Sequence, residues 1–149
     1  MQDRQITIAR LIAAPVAAVW RCWSDPALLP QWFGPEGYRC ITKEIDLRDG
    51  GVWRFDMIGP DGTVWANRHR YTKMQALQQI EFLLDDDTDD ESPLQVVVTL
   101  TPAPSGVQII QTMTFPTAQA RDGALAFGAD KLGQTTLVKL EAAARGLQS

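Results

Sequence analysis

The sequence contains very few of the residues that metal centres and redox sites usually require. Of its 149 residues only one is a histidine, His69, and two are cysteines, Cys22 and Cys40. The two cysteines lie on different predicted elements, without the CxxC spacing of a zinc or dithiol site. We therefore expect no metal and no cofactor, and we interpret both cysteines as reduced thiols that pack in the core.

Long apolar runs and a strong charge of one sign are also missing. No stretch approaches the roughly 20 apolar residues of a transmembrane helix, and residues 1–10 lack the basic flank and apolar run of a signal peptide. The formal net charge is −4, with basic and acidic residues mixed along the chain. These absences predict a cytoplasmic protein without a membrane span. They also argue against a nucleic-acid partner, which would favour a basic stripe.

The motifs of common catalytic and phosphate-binding sites do not occur. The chain has no GxSxG, no GxxxxGK and no HExxH sequence. The acidic residues 85–91 lack the glycine and the distal glutamate of a calcium-binding loop, so we interpret them as a solvated hairpin loop. No catalytic residue is assigned from the sequence, and binding is a better hypothesis than catalysis.

What the chain does contain is a regular succession of amphipathic segments. Residues 4–12 alternate polar and apolar side chains, as a strand with one buried face does. A helix is predicted from Pro15, and a short second helix is predicted at residues 26–31. Residues 37–115 then show the pattern of six strands separated by turns rich in glycine, proline and aspartate.

Most of these strands have one apolar face. The apolar positions are Ile41, Ile45 and Leu47; Trp53, Phe55 and Met57; Ile80, Phe82 and Leu84; and Val96, Val98 and Leu100. Two segments are mixed, because Gln111 interrupts an apolar alternation and because large apolar groups alternate with Asn67 and His69 in residues 65–71. Mixed faces of this kind suggest a pocket.

The last part of the chain predicts one long helix. After Pro116, Thr117 is a suitable N-cap, and the helical pattern continues to about residue 145. Three glycines lie inside it, Gly123, Gly128 and Gly133. Either they allow the backbone to approach the sheet or a ligand closely, or they are merely tolerated.

Together these elements predict an α+β protein with a single domain over residues 1–149. We expect a curved antiparallel sheet of about seven strands that wraps around a long C-terminal helix, with two short helices after the first strand.

Four stretches resemble the AHSA-type branch of the START-like (SRPBCC) superfamily. That branch is named after homologues of the activator of a heat-shock-protein ATPase. They are APVAAVWRCWSDPALLPQWFGP at residues 14–35, DLRDGGVWRFDM at 46–57, PDG at 60–62 and MTFPTAQARD at 113–122. The resemblance implies the helix-grip fold, with a cavity between the sheet and the last helix. In relatives this cavity holds lipids, polyketides or other apolar molecules, and in some it is used for catalysis.

Two departures from the family pattern bear on specificity. Gln134 follows Gly133 where the family commonly has a tryptophan. The stretch ANRHRYTKM at residues 66–74 has His69 between two arginines, whereas relatives tend to have an Arg-Gly-Val-Tyr type of sequence there. The resemblance therefore implies the pocket but leaves its specificity to this chain's own residues.

The candidate site is an apolar pocket with a few polar groups, which is the usual form of a ligand site. Its predicted wall residues are Trp32, Phe33, Trp53, Phe55, Met57, Trp65, Asn67, His69, Tyr71, Phe82, Leu125, Gly128, Leu132 and Thr136. His69 or Asn67 is the expected polar anchor, although His69 can equally be a structural or surface histidine.

The main functional hypothesis is a protein that binds a small apolar or amphipathic molecule. Two alternatives are kept. One is an enzyme of the polyketide cyclase or hydrolase kind that uses His69, Tyr71 or Arg68 for acid-base chemistry. The other is a protein-interaction domain with a chaperone-type partner, in which the acidic loop and the exposed sheet face make the contacts.

Overall fold

The computed structural model of the chain describes residues 2–89 and 92–147, and within these ranges it contains seven strands and four α-helices. The strands are β1 (Gln5–Ile12), β2 (Arg39–Ile45), β3 (Val52–Ile58), β4 (Val64–Gln75), β5 (Gln79–Asp85), β6 (Leu94–Ala103) and β7 (Gly106–Thr114). The helices are α1 (Val16–Ser24), α2 (Leu29–Trp32), α3 (Ala118–Phe127) and α4 (Ala129–Gly146), and a 3₁₀ turn at Gln2–Arg4 precedes β1.

All seven strands form one antiparallel sheet in the order β1-β7-β6-β5-β4-β3-β2. The strands from β2 to β7 are neighbours in the sheet in their chain order, and β1 pairs with β7 at the far edge. The apolar face of the sheet curves around α4, whose Leu137 and Leu140 are fully buried. The predicted helix-grip α+β fold is therefore confirmed.

The two helices after β1 close one end of the core. α1 buries Val19, Cys22 and Trp23, and the indole Nε1 of Trp32 in α2 donates a hydrogen bond of 2.9 Å to the carbonyl oxygen of Cys22. α2 is shorter than predicted and begins at Leu29. Residues 26–28 instead form a turn that begins at Asp25, whose carboxylate accepts a hydrogen bond from the backbone of residue 27.

The predicted apolar face of β2 requires a correction. The register shifts between Thr42 and Glu44, so Ile41 faces solvent rather than the core. Thr42 takes the inward position, where its hydroxyl oxygen accepts a hydrogen bond of 3.0 Å from the indole Nε1 of Trp53. The bulge therefore places a polar side chain, rather than Ile41, on the inner face of the sheet at this point.

The predicted single C-terminal helix is in fact two helices. Thr117 caps α3 as expected, and its hydroxyl oxygen accepts a hydrogen bond of 3.0 Å from the backbone of Ala120. Gly128 then adopts a φ of 90°, which ends α3 and turns the chain into α4. α3 has no buried side chain, whereas α4 buries Leu137, Leu140 and Ala144.

The other two glycines of this region have different explanations. A Cβ at Gly123 would meet no atom within 4 Å, so this glycine is tolerated rather than required. A Cβ at Gly133 would lie 2.8 Å from Cδ1 of Ile8, so this glycine lets α4 approach β1 closely. Gln134, the next residue, is exposed and its amide donates to the carbonyl oxygen of Ala9 at 3.4 Å, outside the core.

Candidate functional site

An apolar cleft of about 340 Å³ lies between the inner face of the sheet and α4. Its lining residues are Phe33, Gly34, Pro35, Tyr38, Met57, Trp65, Asn67, His69, Leu84, Gln111, Met113, Phe127, Ala129, Leu132, Gly133 and Thr136. Among these described residues there is no aspartate, glutamate, lysine or arginine. The cleft therefore presents apolar surface and a small number of uncharged polar groups.

Strand β4 leads from the mouth of this cleft to its closed end. Its inward side chains are those of Trp65, Asn67, His69 and Tyr71, because alternate residues of a strand share one face. Trp65 at the mouth is 50% exposed, whereas His69 is only 1% exposed. A molecule that entered beside Trp65 would therefore meet Asn67 first and His69 last.

His69 is enclosed by aromatic rings at the closed end. Its imidazole stacks on Phe82 with ring centroids 4.1 Å apart, and the rings of Phe33, Trp53 and Phe55 meet it edge to face at 5.1 to 5.2 Å. Nδ1 lies 3.4 Å from the hydroxyl oxygen of Tyr71. Nε2 is buried and has no hydrogen-bond partner among the residues that the structure describes.

The enclosure determines how His69 and Tyr71 ionise. Burial lowers the pKa of His69 from 6.5 to about 3, although the charge of Asp85 acts in the opposite direction. Burial also raises the pKa of the Tyr71 phenol far above its ordinary value. Both groups are therefore neutral near pH 7, so they can form hydrogen bonds with a ligand but are poorly suited to exchange protons with one.

The loop that forms one rim of the cleft is held by α4. The ammonium group of Lys139 donates hydrogen bonds to the carbonyl oxygens of Gly34, Pro35 and Tyr38 at 3.0, 3.3 and 3.4 Å. The hydroxyl oxygen of Thr135 accepts a further bond of 3.0 Å from the backbone of residue 36. Burial lowers the pKa of Lys139. These contacts join the rim and the helix into one wall.

The arginines that flank His69 face away from the cleft. Arg68 forms a two-point contact with Asp85, with N–O distances of 2.9 and 2.8 Å, and Arg70 reaches the same carboxylate at 3.0 Å. The side chain of Asp85 is only 2% exposed. Arg68 therefore cannot act on a molecule in the cleft, which corrects its predicted part in acid-base chemistry.

The acidic stretch is more structured than a solvated loop. Asp85 ends β5 beneath the two arginines, and Asp87 accepts hydrogen bonds from Arg54, the shortest at 2.9 Å. Asp89 is exposed and lies 2.9 Å from Arg68. Residues 90 and 91 lie outside the described residues. Much of the acidic charge is thus balanced within the chain.

The structure divides the predicted wall residues into three groups. Phe33, Met57, Trp65, Asn67, His69, Leu132 and Thr136 lie in the cleft lining. Trp32, Trp53, Phe55, Tyr71 and Phe82 are buried in the core instead. Leu125 is exposed on α3, and Gly128 forms the joint between α3 and α4.

Several lining residues were not predicted from the sequence. They are Gly34, Pro35, Tyr38, Leu84, Gln111, Met113, Phe127, Ala129 and Gly133. For Gln111 a signal was present, since it is the polar residue that interrupts the apolar alternation of β7. The rim residues at 34–38 gave no such signal, because their position depends on the contacts with Lys139.

None of the helices within the described ranges is long and apolar enough to cross a membrane.

Cys22 and Cys40 are free thiols. Burial raises the pKa of Cys22 to about 11 and that of Cys40 to about 12. Both cysteines are therefore protonated near pH 7.

The fold is shared with solved structures of several bacterial proteins. A protein from Nitrosomonas europaea has a TM-score of 0.86 at 23% identity, with 99% of this chain and 98% of that chain covered. A protein from Mycobacterium smegmatis has a TM-score of 0.84 at 27% identity, with 95% and 90% covered. An AHSA1-like protein from Aeromonas hydrophila has a TM-score of 0.71 at 22% identity, with 97% and 94% covered.

The sequence comparisons agree with this structural likeness. No curated protein matches the chain at a significant level. The profile of one family, described as activator of Hsp90 ATPase homolog 1-like protein, matches residues 13–145. That match spans nearly all the elements described above, from the turn before α1 to the end of α4. The chain therefore belongs to the activator of Hsp90 ATPase homologue 1-like family, within the START-like superfamily.

Proposed function

We propose that this protein binds a small apolar or amphipathic molecule in the cleft between the sheet and α4. The observation that carries the proposal is the buried Nε2 of His69, which lacks a partner in the wall of an otherwise apolar cleft. A buried polar atom without a hydrogen bond costs about 1–3 kcal/mol. A ligand that supplied the missing bond would recover much of that cost.

The size and the mouth of the cleft support the same function. Pockets for small ligands usually measure roughly 300–1,000 Å³, and the cleft of about 340 Å³ lies at the lower end of that range. Two aromatic lining residues at the mouth are widely exposed, Trp65 at 50% and Phe127 at 65%. A ligand would cover part of this apolar surface, which stabilises the complex through the hydrophobic effect.

The first test asks whether a ligand is present and whether the cleft holds it. Native mass spectrometry of the purified protein, beside a denatured aliquot, detects a small molecule that is lost on unfolding. Titration with N-phenyl-1-naphthylamine, an uncharged fluorescent probe, measures binding directly. We expect saturable binding of this probe.

A matched pair of variants locates the binding. Thr136→Trp places a large ring in the cleft, whereas Val138→Trp places the same ring on the exposed side of the same helix. We expect the first variant to lose at least about tenfold in affinity, and the second to bind like the unmodified protein. Equal affinity of the two variants, both shown to be folded by circular dichroism, would refute the cleft as the binding site.

A further inference from the structure

We propose, building on the ligand-binding function above, that the ligand is uncharged and that one of its oxygen atoms accepts a hydrogen bond from Nε2–H of His69. Three features of the cleft support this proposal. At the closed end His69 and Tyr71 share one hydrogen bond, the described lining as a whole has no charged side chain, and Lys139 at the rim already donates to three carbonyl oxygens.

Hydrogen-bond counting selects the tautomer of His69. The Tyr71 hydroxyl and Nδ1 form one hydrogen bond of 3.4 Å, which can run in either direction. If Tyr71 donates to Nδ1, its hydroxyl hydrogen and the Nδ1 lone pair are both used, and only Nε2–H is left. If Nδ1–H donates instead, the hydroxyl hydrogen and the Nε2 lone pair both lack partners. The first arrangement leaves fewer buried groups unsatisfied and is therefore favoured.

A free Nε2–H group at the closed end requires an acceptor from the ligand. Carbonyl and hydroxyl oxygens both accept such a bond, whereas a pure hydrocarbon leaves the donor unpaired. The imidazole lies among the rings of Phe33, Trp53, Phe55 and Phe82, and its Nε2 is buried, so water competes little for this donor. We therefore expect the buried end of the ligand to carry the oxygen.

The lining also discriminates against charged ligands. Burial of a carboxylate or an ammonium costs several kcal/mol unless an opposite charge meets it. The described lining offers no such charge, and His69 stays neutral near pH 7. Lys139, which holds the rim, already donates to three backbone carbonyl oxygens. An uncharged ligand is the chemistry that remains.

Three probes of nearly the same shape test the two parts of the proposal. 2-Acetylnaphthalene has a carbonyl oxygen, 2-isopropenylnaphthalene replaces that oxygen by carbon, and 2-naphthoate replaces the methyl group by a charged oxygen. We expect the ketone to bind about tenfold more tightly than the alkene, which offers Nε2–H no acceptor. We expect 2-naphthoate to bind at least about tenfold more weakly than the ketone, because its charge would be buried without an opposite charge. In His69→Phe the ketone and the alkene should bind about equally.

The single histidine allows a direct observation of the bond. Protein free of any affinity tag and labelled with ¹⁵N-histidine contains one imidazole, so its two nitrogen resonances are unambiguous. We expect the Nε2–H tautomer in the unliganded protein and a shift of the Nε2 resonance when 2-acetylnaphthalene is added. This readout uses the unmodified chain, so it stands even if the His69→Phe variant does not fold.

The possible failures are distinguishable. Equal affinity for the ketone and the alkene, an unmoved Nε2 resonance on saturation, or tighter binding of 2-naphthoate would each overturn the inference. The inference is also overturned if the ketone does not bind while N-phenyl-1-naphthylamine does. In each of these four cases the proposed function survives. If neither the ketone nor the dye binds, the proposed function fails and the inference fails with it.

Discussion

The buried imidazole of His69 makes the stability of the fold depend on pH in a calculable way. Burial lowers the pKa of His69 from 6.5 to about 3 in the folded protein, whereas the unfolded chain keeps the ordinary value. Between these two pH values the unfolded chain binds a proton that the folded chain does not. The contribution of His69 to the free energy of unfolding is therefore fully present above about pH 6.5 and is lost as the pH falls toward 3.

The magnitude follows from the two pKa values. Lowering the pH from about 7.5 to about 5.5 should reduce the free energy of unfolding by about 1.4 kcal/mol through this one group. Carboxyl groups contribute little in that window. The hydrogen bond from Arg54 lowers the pKa of Asp87, for example, but the ordinary pKa of an aspartate is already about 4, so this group acts at lower pH.

Urea unfolding followed by tryptophan fluorescence measures this effect at the two pH values. His69→Phe keeps a ring in the aromatic cluster and removes the titrating group. The change in its free energy of unfolding between the two pH values should therefore be smaller than that of the unmodified protein by about 1.4 kcal/mol. Parallel pH dependence of both proteins would refute the reasoning. An imidazole that titrates near pH 6.5 in the NMR spectrum of the folded protein would refute it as well, without recourse to a variant.

Two other features of the structure lead to measurable expectations. Lys139→Met keeps most of the side-chain volume but removes the donor to three rim carbonyl oxygens. The free energy of unfolding should therefore fall by about 1–3 kcal/mol. An unchanged midpoint of urea unfolding would contradict the role of this lysine. Gly128→Ala should destabilise by about 1–2 kcal/mol because of its φ of 90°, whereas Gly123→Ala should stabilise by up to about 1 kcal/mol. Thermal unfolding compares the two, and effects of the same sign would contradict the assigned conformations.

Much of the fold could be predicted because its signals are local. The alternation of Trp53, Phe55 and Met57 identifies the buried face of β3 from sequence alone, since a strand repeats every two residues. The errors come from features that depend on pairing or on tertiary contacts. Ile41 is misplaced because a bulge is a property of two paired strands, and the break at Gly128 is missed because a helical pattern continues on both sides of it.

The candidate site was predictable to a smaller extent. Alternation places Trp65, Asn67 and His69 on one face of β4, and the structure brings all three into the cleft lining. The pattern does not reveal depth, however. Trp53 and Phe55 share the inward face of β3 with Met57, yet they fill the closed core whereas Met57 lines the opening. Which aromatic residues meet a cavity depends on the curvature of the sheet and on the position of α4.

The pairing of Arg68 with Asp85 on the outer face has a consequence for the inner one. Slippage of β4 by one residue would exchange its two faces, so an arginine would enter the cleft and His69 would turn to solvent. Only the observed register aligns Arg68 with Asp85 and places the two-point contact between them. A pair of charges outside the cleft thus favours the register that places Asn67 and His69 in its lining.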